Sequence, residues 1–156
     1  MSVKIVLAET PDQFDSAGQL FRAYAEFLGL DLEFQGFSDE LTSLSRVYGP
    51  PKGALLLAEV HGDPVGAVGL RELETGVAEM KRMYVLEQYH GAGIGKVLTQ
   101  AFLTHAKDLG YRSVRLDSIR ELETALKLYR SFGFEEIEPY RFNPHPDAVF
   151  MEYEIS

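Results

Sequence analysis

Apolar residues change their period along this chain, and each change marks an element. Val3 to Ala8 is a short β-branched run that reads as a strand. Thr10-Pro11-Asp12-Gln13 then supplies a capping residue, a proline for the first turn and a Gln three positions on, the signature of a helix start. Phe14, Ala17, Leu20, Phe21, Tyr24, Phe27 and Leu28 follow at helical spacing and form one stripe. Gly29 and Gly36 bracket a turn, and Ser38 with Leu41, Leu44 and Val47 predicts a second, shorter helix ending near Gly49-Pro50-Pro51.

Further on, Ala54 to Val60 and Val65 to Leu70 read as two strands joined by the tight turn His61-Gly62-Asp63-Pro64. Gly66 and Gly69 inside the second strand point to a bulge or a close approach of another group. Val77 to Leu86 is a further strand. Ile94, Val97, Leu98, Ala101, Phe102, His105, Ala106 and Leu109 share one helical face that stops at Gly110. Tyr111 to Leu116 reads as a strand. Ser118 and Glu121 form a second capping box, opening a helix through Leu122, Ala125, Leu126, Leu128 and Tyr129 to Gly133. Phe134 to Ile137 and Ala148 to Ile155 close the chain as two strands around Asn143-Pro144-His145-Pro146. The order β-α-α-β-β-β-α-β-α-β-β is that of one mixed α/β domain over residues 1–156, with no linker, repeat or low-complexity segment.

Composition narrows the function classes. A chain of 156 residues with 46% hydrophobic and 25% charged residues has enough apolar material for a core and reads as globular. A net charge of −9 disfavours nucleic acid and anionic membranes as partners and leans towards amine-bearing substrates, polyamines among them. The absence of cysteine excludes disulfides, thiolate metal sites and a Cys nucleophile. No stretch has the length of a membrane span or a signal peptide, so a soluble cytoplasmic protein is expected. His61, His105 and His145 share no metal-ligand spacing, and the many carboxylates form no calcium-loop pattern; no metal is expected.

The densest chemical signal is His90-Gly91-Ala92-Gly93-Ile94-Gly95-Lys96, between the strand ending at Val85-Leu86 and the long helix. A glycine-rich turn from strand into helix leaves backbone N–H groups unpaired at the positive end of the helix dipole, which makes an anion cradle. A Walker A loop would need Gly at position 90 and Ser or Thr at 97, where His90 and Val97 stand. A dinucleotide fingerprint would need Gly at 96, where Lys96 stands, and would follow the first strand rather than the fourth.

The loop resembles the pyrophosphate loop of the GNAT superfamily of acetyl-CoA-dependent acyltransferases, written Gln/Arg-x-x-Gly-x-Gly/Ala. It matches at Gly93 and Gly95, adds Gly91, and departs at His90, where a side chain that titrates near neutrality replaces a permanent donor. Glu79-Met80-Lys81-Arg82-Met83-Tyr84-Val85 is similar to the family's fourth strand, and Leu128-Tyr129 with Gly133-Phe134 to its late helix and turn. The family often has Asn near position 122, where this chain has Leu122; Ser118 is the candidate to replace it.

The resemblance implies a central, mostly antiparallel sheet of about seven strands flanked by four helices. It also implies acetyl-CoA as cosubstrate and direct transfer of the acetyl group to an amine, without a covalent enzyme intermediate. Under it, His90, Gly91, Ala92, Gly93, Ile94, Gly95 and Lys96 hold the pyrophosphate. The backbone of Met83, Tyr84 and Val85 binds the pantetheine arm like an added strand and polarises the acyl oxygen. Glu79 is the candidate base, directly or through water, and Tyr129 the candidate acid for the leaving thiolate. Tyr24, Phe27, Tyr140 and Asn143 are candidates for the acceptor pocket. The acceptor is expected to be a small-molecule amine, and a homodimer is compatible. Two alternatives stay open: an acyl-CoA-binding regulatory module without turnover, and an acetyltransferase acting on a protein lysine or N-terminus.

Overall fold

Thr10 and Gln13 cap the first helix reciprocally: Thr10 Oγ1 accepts from the Gln13 amide at 3.2 Å, and Gln13 Oε1 accepts from the Thr10 amide at 2.9 Å. The computed structural model describes residues 2–156, the side chain of Phe34 apart. The capped helix α1 (Pro11–Leu28) follows strand β1 (Val3–Leu7) and stops at Gly29, whose φ of +66° is left-handed. The next helical stretch is broken into a 3-10 turn (Glu33–Gln35), α2 (Phe37–Leu41) and α3 (Leu44–Val47). The single helix expected there fails at Thr42 and Ser43, whose hydroxyls turn back onto the Asp39 carbonyl at 2.8 and 3.0 Å. Five helices thus stand where four are expected.

Strands β2 (Ala54–Val60), β3 (Asp63–Glu74) and β4 (Val77–Val85) form an antiparallel meander. Its first turn is tight because His61 and Gly62 both take positive φ, 53° and 81°. β3 runs four residues past the expected Leu70, since its pairing with β4 continues to Glu74↔Val77. Helix α4 (Ile94–Asp108) leads to β5 (Ser113–Ile119), then come α5 (Glu123–Phe132), β6 (Glu135–Ile137) and β7 (Ala148–Glu154). The expected Ser118–Glu121 capping box does not form. Pairing with β7 holds Ser118 and Ile119 in the strand, and α5 begins after Leu122 with no side-chain cap.

The seven strands form one sheet in the order β1-β2-β3-β4-β5-β7-β6. α1 and α3 cover one face, where Ala17, Phe21, Leu44 and Tyr48 pack on Leu55, Leu57 and Ala67. α4 and α5 cover the other, where Leu98, Phe102, Ala106 and Leu126 pack on Leu56, Val68, Met80 and Met151. Every pairing is antiparallel except β4–β5, which is parallel and spans three residue pairs, Val77↔Ser113, Ala78↔Val114 and Glu79↔Arg115. Beyond Glu79 and Arg115 the two strands part.

Candidate active site

The glycine loop sits at the mouth of that parting. β4 ends at Val85, a 3-10 turn (Glu87–Tyr89) follows, and Gly91 and Gly93 then take φ of +84° and +82°. A Cβ at either glycine would meet nothing within 4 Å, so conformation rather than space demands glycine there. Gly93 caps α4 without a side-chain hydrogen bond, leaving the first-turn N–H groups of the helix facing the mouth. His90 is turned inward. Its Nε2 lies 2.6 Å from the Val85 carbonyl oxygen and donates to it, while its ring packs edge-on against Phe27 and Tyr84.

Behind the loop a cleft of about 710 Å³ runs between β4 and α5. Met83, Tyr84 and Val85 form one wall, and Thr124, Leu128 and Tyr129 form the other. A strand edge left unpaired by β5 beyond Glu79, an anion cradle and a cleft between the parted strands suit a phosphate-bearing molecule laid along the strand. Tyr129 is buried, which pushes its hydroxyl well above the usual tyrosine range, so it holds its proton. Tyr24 reaches the same cleft from α1, and burial pushes it up to about 12.

A second recess lies beyond the junction formed by Tyr24 and Leu122, which line both spaces. The four buried charged residues, Glu40, Glu79, Lys81 and Arg82, all belong to this side of the sheet. A bulge in β4 makes that possible. The β3–β4 register slips between Ala67 and Gly69, and Arg82 takes φ +58°, so Lys81 and Arg82 both turn towards the α1–α2 face. Arg82 is clamped by Glu40, with Nε to Oε2 at 3.2 Å and Nη2 to Oε1 at 3.0 Å. Tyr48 donates to the same carboxylate at 2.8 Å. Tyr48 can lie there because position 69 is glycine: a Cβ would come within 2.5 Å of its ring. The close approach expected at Gly69 is therefore real.

A row of polar groups crosses the recess. Lys81 Nζ donates to Gln35 Oε1 at 3.0 Å, and Arg82 Nη1 donates to the same oxygen at 2.5 Å. Gln35 Nε2 donates to Asp117 Oδ2 at 3.1 Å, and Asn143 Nδ2 donates to that oxygen at 3.0 Å. Burial lowers the Lys81 ammonium to about 8, with Arg82 pushing the same way and Glu79 and Asp117 opposing. Glu79 lies one step behind. Its carboxylate is fully buried, pairs with Arg71 at 3.5 Å and Arg141 at 2.5 Å, and accepts from the Tyr140 hydroxyl at 2.8 Å.

Most sequence-expected cofactor residues thus line one cleft: Met83, Tyr84, Val85, His90, Gly91, Gly93, Ile94 and Gly95, with Tyr129 opposite. Ala92, in the turn before α4, and Lys96, in the first turn of α4, are exposed and are not part of its walls. Ser118, the candidate for the role of the missing Asn, lines the polar recess and not the cleft. Of the residues expected around the acceptor, Tyr24 and Asn143 line the recess, Phe27 packs on Tyr84 in the cleft wall, and Tyr140 lines neither space. Glu79 lines neither space. Sequence reasoning passed over Gln35, Glu40 and Asp117. The one available signal was the adjacent pair Lys81-Arg82 inside an apolar strand, since charges buried in a sheet need partners.

Parted parallel strands, an uncapped helix start carrying glycines and a polar chamber across the gap meet at one place in this fold. The sequence profile of the Acetyltransferase (GNAT) family matches residues 18–134, and the chain belongs to that family of N-acetyltransferases. An uncharacterized N-acetyltransferase of Schizosaccharomyces pombe is 38% identical over 157 residues, covering 99% of this chain and 96% of the relative. The crystal structure of a GNAT-family acetyltransferase from Staphylococcus aureus superposes with a TM-score of 0.81 at 21% identity, over 99% of this chain and 100% of that one. A Salmonella typhimurium protein solved with its cofactor acetyl-CoA superposes with a TM-score of 0.75 at 16% identity, over 100% and 95%. The fold is one that binds acetyl-CoA. No helix among the described residues is long and apolar enough to cross a membrane.

Proposed function

We propose that this chain acts as one transferase domain that moves the acetyl group of acetyl-CoA directly onto the amine of a small acceptor. The observation that carries this reading is the junction of the two spaces at Tyr24 and Leu122, one space suited to the cofactor arm and the other polar. When bound, acetyl-CoA supplies the activated thioester. The first-turn N–H groups of α4 and the backbone of Gly91 and Gly93 hold its pyrophosphate. The Met83–Val85 backbone aligns the arm and offers N–H groups to the acyl oxygen.

The acceptor must arrive, or become, unprotonated. Glu79, expected as the base, lines neither space; it is ion-paired with Arg71 and Arg141 and accepts from Tyr140 through Oε2, while its buried Oε1 takes no hydrogen bond, so in this reading it is a positioning residue that fixes Arg141 and Tyr140. The carboxylate that faces the recess is Asp117, and it takes the proton that the ammonium loses. Tyr129 hands a proton to the sulfur as the C–N bond forms and the C–S bond breaks; the second amine proton leaves to solvent, and the proton taken up by Asp117 is returned through solvent to Tyr129, restoring both groups. The overall balance is one acetyl group moved, one thiol released and one proton freed per ammonium consumed.

Tyr129→Phe tests the assignment because it keeps the ring packed on Phe134 and removes only the proton. Turnover of acetyl-CoA with an amine panel is expected to fall about 100-fold, within the range for a general acid. Unaltered turnover overturns the acid role. Tight acetyl-CoA binding with no acetylated product from any amine overturns the transferase reading itself.

A further inference from the structure

We propose that the acceptor is an apolar α-amino acid, held with its carboxylate on Lys81 and its amine on Asp117; the inference rests on the acetyl-transfer reading above. Lys81 and Asp117 each lie two residues beyond Glu79↔Arg115, the last rung of the β4–β5 ladder. Two steps along a strand return to the same face, so the two side chains oppose each other across the opened gap and line one recess. A cation and an anion facing each other across a gap match a zwitterion.

The side chain of Gln35 already shows which chemistry fits between them. Its amide oxygen accepts from Lys81 and Arg82, at 3.0 and 2.5 Å, while its amide nitrogen donates to Asp117 at 3.1 Å. An α-amino acid presents the same pattern, an oxygen acceptor and a nitrogen donor a short distance apart, with full charges in place of partial ones. The free space left in the recess is only about 40 Å³, so an acceptor enters by displacing Gln35. That side chain hangs from a short 3-10 turn between Gly29 and Gly36.

Charge compensation points the same way. Arg82 is ion-paired with Glu40, which also accepts from Tyr48, and Glu79 is paired with Arg71 and Arg141. Lys81 is 3% exposed, and among the described residues its hydrogen bond goes to a neutral amide, with no carboxylate in ion-pair contact. A buried ammonium in that position is undercompensated until an anion arrives. Burial lowers its pKa to about 8, so it still carries its charge at neutral pH. Leu28, Leu30, Leu32 and Ile119 supply an apolar stretch of the wall, beside the polar Ser118 and Asn143, and that stretch suits an aliphatic or aromatic side chain. A polyamine would find one carboxylate and two cations there, so the interior reverses what the acidic surface suggests.

The test compares leucine, methionine and phenylalanine with their amides and their decarboxylated amines, and with spermidine, as acceptors with acetyl-CoA. Binding of each amino acid to the CoA-loaded protein is measured by calorimetry in parallel. The free amino acids are expected to exceed their amides in kcat/KM by about ten-fold or more, the effect of one charge-assisted contact. Lys81→Met is expected to collapse that ratio, and Lys81→Arg to restore part of it; a melting curve checks that both variants fold. A ratio near one in the native protein, a preference for spermidine, or a ratio that survives in Lys81→Met overturns the proposal. Amine acetylation without carboxylate preference leaves the transferase reading standing. Calorimetric binding of the amino acids, lost in Lys81→Met, with no product from any amine does the opposite.

Discussion

The two sides of the β4–β5 gap are built from different materials. On the cofactor side the working groups are backbone: a strand end, two left-handed glycines and an uncapped helix start. On the acceptor side they are side chains drawn from distant segments, with Glu40 on α2, Lys81 and Arg82 on β4, Asp117 on β5 and Asn143 in the last loop meeting in one network. Backbone recognition is set by local conformation and tolerates changes in side-chain identity. The charge network depends on every member, because each buried ion stripped of its partner is costly.

The difference can be broken first on the acceptor side. Glu40→Ala leaves Arg82 buried without its carboxylate, and is expected to cost about 3–5 kcal/mol of stability, read as a lower denaturant midpoint. A loss below 1 kcal/mol would show that the network is solvated and the contrast false. On the cofactor side, Gly93→Val forces a β-branched residue into φ +82° at a strain of about 1–2 kcal/mol. Acetyl-CoA affinity is expected to weaken about ten-fold or more while the leucine-over-leucinamide preference holds. An equal loss of that preference would mean the two sides are not separable. The smallest effect is in pH. Lys81, flanked by Arg82, Arg141, Glu79 and Asp117, carries its charge below about 8 and loses it above. KM for leucine relative to leucinamide should therefore rise as pH passes upward through that value; a flat ratio removes Lys81 from carboxylate binding.

The same contrast decides what the sequence makes legible. Gly91, Gly93 and the helix after them form a contiguous pattern, as do Leu128-Tyr129 and Gly133-Phe134, so cradle and cleft can be read along the chain. The sheet follows from alternation and turns, and its errors are local. Thr42 and Ser43 interrupt a helix through their own hydroxyls, and strand pairing overrides the capping residues at Ser118 and Glu121. The acceptor network has no such pattern. Gln35 and Asp117 are 82 positions apart, and nothing in either neighbourhood announces the other. Glu79 is legible as a carboxylate on the fourth strand, but the two arginines that neutralise it come from β3 and the 138–147 loop. Net charge sums the whole chain and does not say where the buried Glu40, Glu79, Lys81 and Arg82 sit.

The ladder of three rungs between β4 and β5 has one more consequence. With its parallel seam closed only at one end, the sheet is completed by whatever lies along the open end. A molecule that binds there and not to the unfolded chain adds RT ln(1 + [L]/Kd) to the stability of the fold. On the acetyl-transfer reading, free CoA shares the arm and the pyrophosphate of acetyl-CoA, so both forms are expected to raise the melting temperature, each by its own concentration and affinity.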